Sequence, residues 1–204
     1  MKDDITFEIG TQFIDLASVN IDDKVLDIGG GGEGVISQLV GEHVISIDPS
    51  IEELKEAPSN SIKIVMNAEN LLFLDETFNV VTSFFTLMYI SKDKHDKVIS
   101  EVYRVLKDKG SFMIWDVRIP PNKRKKKIFV VPLQIRLNND FIIKTGYGVS
   151  YEEQDINYYT DICKNAGFKL VEYRDLTDTY FLHFVKWSFI GHHPWWLLRL
   201  KYKI

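Results

Sequence analysis

One cysteine, Cys163, is all the thiol this 204-residue chain has. A lone cysteine excludes an internal disulfide and any cysteine-rich metal cluster, and it fits a reducing compartment, so the expected location is cytoplasmic. Long apolar runs are missing as well. The N-terminus, Met1-Lys2-Asp3-Asp4, lacks the basic region and apolar stretch of a secretory signal, and nothing is apolar for long enough to span a bilayer. A soluble chain with no transmembrane segment is expected. Surplus basic charge is absent too: 25 Lys and Arg stand against 29 Asp and Glu, for a net charge of −4. That balance speaks against a nucleic-acid partner, because displacing counterions from phosphate takes excess cations. No internal repeat and no low-complexity linker divides the chain. What it has in quantity is apolar material, 45% hydrophobic residues with 13% aromatics. That suffices for one sizeable core, so one domain over 1–204 is expected.

Short apolar runs rich in β-branched residues alternate with segments of helical period, the pattern of βαβ units and a parallel sheet. The spacing of Phe7, Phe13, Ile14 and Leu16 predicts a first helix over 7–19. Strands are expected at 24–28, 43–48, 62–66, 80–84, 111–115, 169–173 and 179–185. The clearest helix is 94–106, where Val98, Val102, Val105 and Leu106 recur at three-to-four spacing and Gly110 follows. Between the fifth strand and a helix starting near Glu153 lies an insert at about 117–152, which reads as a loop and then as hairpin-like strands 128–137 and 141–144. It is too small for a domain. Leaving from a carboxyl end of the sheet, where open α/β proteins bind ligands, it is placed to act as a lid.

The stretch Val25-Leu26-Asp27-Ile28-Gly29-Gly30-Gly31-Gly32-Glu33-Gly34 is a buried strand running into a glycine-rich turn and a helix. Glycine tolerates positive φ and lets the backbone approach a ligand that a Cβ would exclude. Asp48 follows about twenty residues after the first glycine, the distance at which the ribose hydroxyls of a nucleoside cofactor meet a carboxylate. Loop and acid together indicate such a cofactor without saying which. Gly29, Gly31 and Gly34 also satisfy G-x-G-x-x-G, so a nicotinamide or flavin cofactor stays open at this point.

Four segments in order decide further: 25–34, Asn67-Ala68-Glu69-Asn70-Leu71-Leu72-Phe73, 78–85, and Glu101-Val102-Tyr103-Arg104-Val105-Leu106-Lys107 leading into 110–116. Together they resemble the class I S-adenosylmethionine-dependent methyltransferases, in particular small-molecule enzymes of the ubiquinone/menaquinone-biosynthesis type. The resemblance implies a doubly wound, Rossmann-like α/β fold with a seven-stranded, mostly parallel sheet, helices on both faces and an antiparallel last strand. It implies S-adenosylmethionine as cofactor, with Asp27 near the methionine end and Gly29 and Gly31 under the cofactor. Asp48 would lie on the ribose, Asn67 and Ala68 at the adenine edge, and Phe84 and Phe85 along the methionine. Two positions depart from the family: Glu33 stands where a further glycine is usual, and Asn67 replaces an aspartate. An amide oxygen still accepts a hydrogen bond from the adenine amino group.

Methyl transfer from a sulfonium needs alignment more than a base, so no catalytic residue is assigned. Base candidates near the rim are His95, Asp116, Tyr89 and Tyr147, with His95 expected to be exposed early in its helix and Tyr89 to pack below the site. Tyr147 and Tyr151 flank Gly148 in a glycine-containing segment that could close over a substrate. The basic run 123–127 is expected to be a solvated loop. The C-terminal extension, about 187–204, carries Trp195, Trp196 and several leucines and cations, and would graze a membrane, pair two copies as a homodimer, or pack on its own domain. His192 and His193 alone make no metal site. Three functions remain: methyl transfer to a small-molecule acceptor, which leads, NAD(P)-dependent oxidoreduction, and S-adenosylmethionine binding by a non-catalytic regulator. Nucleic-acid methylation is disfavoured, since Ser83-Phe84-Phe85-Thr86 stands where an Asn/Asp-Pro-Pro-aromatic signature would be.

Overall fold

The computed structural model describes residues 5–187 apart from 20, 22, 59, 60, 124 and 139. In chain order these form strands β1 (Thr6–Glu8), β2 (Gln12–Asp15) and β3 (Val25–Ile28), helix α1 (Val35–Val40), strand β4 (Val44–Asp48) and helix α2 (Ile51–Glu56). Strands β5 (Ile62–Val65) and β6 (Phe78–Phe84), a 3₁₀ turn (Leu87–Tyr89), helix α3 (Lys92–Val105) and strand β7 (Leu106–Val117) follow. The chain continues through β8 (Ile128–Arg136), β9 (Ile142–Ser150), helix α4 (Ile156–Asn165), β10 (Phe168–Leu176) and β11 (Thr179–Lys186).

The large sheet has seven strands in the order β10-β11-β7-β6-β3-β4-β5. The five from β7 to β5 are mutually parallel, and β11 runs antiparallel to both its neighbours. The chain steps outward from β3 to β4 and β5, then returns to lay β6 on the other side of β3. The β3/β6 seam is therefore the point where the strand order reverses, and ligands of open α/β sheets bind outside the carboxyl ends there. All four residues of β3 are buried, as a central strand covered on both faces requires.

Successive side chains of a strand point to opposite faces, and the two faces have different covers. Leu26, Ile28, Val81, Phe112 and Ile114 pack with Val98 and Val102 of α3 and Tyr159 and Cys163 of α4. Val25, Val44, Val80, Trp115 and Val117 pack with Val35 and Ile36 of α1 and with Phe129, Val131, Leu133 and Ile135 of a second sheet.

That second sheet corrects the expectation of a helix over 7–19. Its centre is β8, with β9 antiparallel on one side and the N-terminal segment on the other, β1 against Ile128–Val130 and β2 against Leu133–Arg136, both parallel. Ile14 and Leu16 are buried while Phe13, 53% exposed, and Asp15 face outward, which is the period of a strand. The backbone partner lies far along the chain, Asp15 pairing with Arg136 across 121 positions, so no local pattern announces it. The insert is likewise more regular than expected. Its second strand runs to Ser150, so the glycine-containing segment from Thr145 to Tyr151 is mostly strand.

Lys123, Lys125, Lys126 and Lys127 lie in the loop before β8, and Arg124 lies outside the described residues. So does the C-terminal extension from 188 on, with His192, His193, Trp195 and Trp196. Among the described residues, no helix is long and apolar enough to cross a membrane. Nor does any group of three or more His, Cys, Asp or Glu stand where it could hold a metal ion.

Candidate cofactor site

The loop after β3 can take its path only with glycine at key positions. Gly29 has φ +70°, and a Cβ there would run into the Thr86 side chain, which comes from the end of β6. At Gly31 a Cβ would stand 2.5 Å from the Glu53 Cβ and 3.1 Å from the Asp48 carboxylate. The loop thus lies flat between the ends of β4 and β6, and its backbone forms the floor of a cavity of about 370 Å³. That volume is in the range of small-molecule sites, about 300–1,000 Å³.

Four strand ends supply the cavity walls: Gly29 to Glu33 after β3, Asp48 and Pro49 at β4, Met66 to Ala68 after β5, and Phe84 to Thr86 at β6. Of the residues named from the sequence, Gly29, Gly31, Asp48, Asn67, Ala68, Phe84 and Phe85 meet here. Asp27 lies beneath the loop instead. It is 2% exposed, accepts a hydrogen bond from the Thr82 hydroxyl (2.7 Å), and is not among the walls. Burial pushes its carboxyl up to about 7, with the nearby Asp48 charge acting in the same direction.

Asp48 accepts backbone N–H bonds from Ser50 (2.8 Å) and Gly31, yet partial burial still raises its carboxyl above the usual range. Asn67 closes a local turn, its amide oxygen accepting the Glu69 N–H (2.9 Å) and its amide nitrogen donating to the Glu69 carboxylate (3.1 Å). Phe85 holds φ +50°, costly for a residue with a Cβ, and its N–H is tied to the Trp115 carbonyl (2.8 Å). This bend aims Thr86 at Gly29 and turns the chain into the 3₁₀ segment.

Further walls carry no motif in the sequence. Glu53 comes from α2, and burial with the charges of Glu56, Asp48 and Glu33 raises its carboxyl. Tyr89 is 52% exposed and lines the cavity, rather than packing below it as expected. Glu33 also faces in, and only its departure from the family's glycine pointed to it. Tyr147 reaches the cavity from β9, whereas Tyr151 packs inside the second sheet against Phe7 and Phe129. The walls carry three carboxylates, Glu33, Asp48 and Glu53, and no Lys or Arg among the described residues.

His95 corrects a second expectation. It is 1% exposed, its Nε2–H donates to the Leu87 carbonyl (3.0 Å), and its Nδ1 accepts from the Tyr158 hydroxyl (2.9 Å). Burial lowers its pKa, so the ring is neutral and braces the 3₁₀ segment from behind. Asp116 is fully buried, accepts from Val117 N–H (2.8 Å) and Gln154 Nε2 (3.0 Å) on one oxygen, and has no partner on the other. Burial pushes its carboxyl up to about 7. Neither residue lines the cavity. Arg104 fixes the wall beyond Ala68, donating to the carbonyls of Leu71 and Phe73 (2.8 Å each) while paired with Glu101 and Asp75.

Residues 26–114 match the family model described as a methyltransferase domain. The chain is 27% identical over 183 residues to phosphoethanolamine N-methyltransferase 1 of Zea mays, covering 85% of this chain and 33% of that protein. It is 28% identical over 187 residues to the ubiquinone/menaquinone biosynthesis C-methyltransferase UbiE of Klebsiella pneumoniae (strain 342), covering 80% of this chain and 73% of that one. This chain therefore spans about a third of the first of these relatives. Its fold matches that of a SAM-dependent methyltransferase from Methanosarcina mazei with a TM-score of 0.57 at 17% identity, over 83% of this chain and 94% of the other. Its cavity lies at the switch point of the sheet, its core over 26–114 matches the methyltransferase-domain model, and its fold is that of solved S-adenosylmethionine-dependent methyltransferases.

Proposed function

We propose that this protein transfers a methyl group from S-adenosylmethionine to a small-molecule acceptor. The charge of the cavity carries the reading. Three carboxylates and several aromatic rings, with no Lys or Arg on the described walls, suit a sulfonium with its ribose and oppose the pyrophosphate of a nicotinamide cofactor. Glu33 strengthens the discrimination, because it places a carboxylate on the loop where a dinucleotide would present its phosphates.

In this assignment the backbone at Gly29 and Gly31 is the floor under the cofactor, and Asp48 receives the ribose hydroxyls. Asn67 and Ala68 border the adenine, and Phe84 and Phe85 border the methionine chain. Asp27 acts from below, through the loop. When bound, S-adenosylmethionine would supply a methyl already activated by its sulfonium, with the neutral thioether as the leaving group. The protein's own contribution is orientation and exclusion of water, a share worth roughly 7–11 kcal/mol in favourable cases. Tyr147 is kept neutral by burial and by the adjoining Glu33 charge, so it shapes the site and takes no proton. The chain acts as one domain in this reading, with the 117–152 insert as the lid. The relatives' names, phosphoethanolamine among them, support a small acceptor, and the buried lone thiol of Cys163 supports a cytoplasmic location.

Calorimetric titration with S-adenosylmethionine, S-adenosylhomocysteine and NADH tests the reading. Micromolar binding of the first two without NADH is expected. NADH binding alone would overturn it in favour of the oxidoreductase. Binding of S-adenosylmethionine with no methyl transferred across a screen of small amines, phenols and quinols would favour the regulator.

A further inference from the structure

Three contacts join the lid strand to the walls of the cofactor cavity, and one side chain takes two of them. Thr145 and Tyr147 project from the same face of β9, two residues apart. The Thr145 hydroxyl donates to one oxygen of Glu33 and the Tyr147 hydroxyl to the other (3.0 Å). The third contact is Gly148 N–H to the Tyr89 hydroxyl. Behind these bonds the Tyr147 ring packs on Phe85, centroids 5.7 Å apart, and meets Tyr89 edge-on at 6.5 Å.

Position matters as much as bonding. Outside the 370 Å³ cavity lies a wider groove of about 780 Å³ between β9 and the tips of α1 and α2. Glu33, Tyr89 and Tyr147 border both spaces. The latched tyrosine is thus a partition between the inner cavity and the groove open to solvent. A glycine at 33 would leave the lid without its two hydroxyl contacts on the loop.

We propose that Glu33 is a positioning residue that latches the lid strand to the glycine loop, holding Tyr147 across the mouth of the cofactor cavity and so setting how fast the cofactor leaves. The proposal rests on the cofactor reading above for its second half only. The Glu33 contacts lie within the chain itself, so the latch can be read by exchange without adding a ligand.

Amide hydrogen exchange of the full chain, ligand-free, gives the first readout for the wild type, Glu33→Ala and Glu33→Gln. Loss of two hydrogen bonds at a half-buried carboxylate, at the lower end of about 0.5–1.5 kcal/mol net each, corresponds to about tenfold in a local opening equilibrium. Glu33→Ala should therefore speed exchange across 145–148 by about tenfold while α3 stays unchanged, which also shows that the variant is folded. The amide of Glu33→Gln can still accept from Tyr147 and engage Thr145, so its exchange should stay within about threefold of wild type. Displacement of bound S-adenosylhomocysteine gives the second readout, with release about tenfold faster in Glu33→Ala and largely restored in Glu33→Gln. Unchanged exchange in Glu33→Ala overturns the latch. Equal damage by Ala and Gln overturns it too, since the charge and not the bonds would then matter. A wild type that binds no S-adenosylhomocysteine removes the cofactor reading and leaves the exchange result to judge the latch.

Discussion

Asp116 offers a direct test of how burial controls this protein's stability. Its carboxyl is fully buried, with one oxygen unpartnered, and is pushed from 3.8 up to about 7 by loss of solvent. Folded, it keeps its proton up to about pH 7; unfolded, it loses the proton near pH 4. The folded state therefore binds more protons between those values, and stability falls as pH rises through that window and levels off above it. Across the whole window the loss is about 4 kcal/mol, and between about pH 5 and pH 8 it is about 2–3 kcal/mol. Asp27, also pushed up to about 7 by burial, contributes in the same direction, so the wild-type curve alone does not isolate one residue. Asp116→Asn does. It keeps an acceptor for Val117 N–H and Gln154, and it sets an amide on the unpartnered side near Tyr180, its cross-strand neighbour, whose buried hydroxyl also lacks a partner. Urea unfolding of both proteins at about pH 5, 6, 7 and 8 should show the variant gaining about 2–3 kcal/mol on the wild type from the lowest to the highest pH. A difference constant to within about 0.5 kcal/mol would refute the reasoning, because the group would then titrate alike in both states.

Arg104→Lys should destabilise by about 2 kcal/mol, since an ammonium cannot fork between the Leu71 and Phe73 carbonyls and two carboxylates; denaturant midpoints check this. Gly29→Ala, forced to φ +70° against Thr86, should weaken S-adenosylmethionine binding more than about tenfold in calorimetry, whereas Gly10→Ala, with nothing near its Cβ, should not. His95→Ala leaves the Leu87 carbonyl with Ile90 N–H as its remaining donor, takes the Nδ1 acceptor from the Tyr158 hydroxyl and should cost about 2 kcal/mol, with His95→Gln recovering part of it in thermal melts; equal melting of the two would show that the side-chain bonds do not matter.

The central strands and the glycine loop were legible because their signals are local. Val25 to Ile28 is an apolar run that ends in glycines, and a fully buried parallel strand followed by a tight turn needs that composition. The spacing from Gly29 to Asp48 placed both at one cavity because consecutive parallel strands end on the same side of the sheet. Helix α3 showed itself through valines at helical spacing.

Tertiary structure alone decided the rest. Residues 7–19 carry apolar residues that fit two periods, and β8, more than a hundred positions away, supplied the edge that made them strands. His95 sits among charged residues on an amphipathic helix, and only the arrival of α4 with Tyr158 buried it. The raised carboxyls of Asp27 and Asp116 exist because packing on both faces of the sheet excludes water, a property of the assembled layers. Glu33 was visible from the sequence as an irregular loop position, but its two bonds come from hydroxyls at 145 and 147. Composition and spacing determine what a segment can form by itself, whereas long-range pairing and burial depend on which surface the folded chain brings to it.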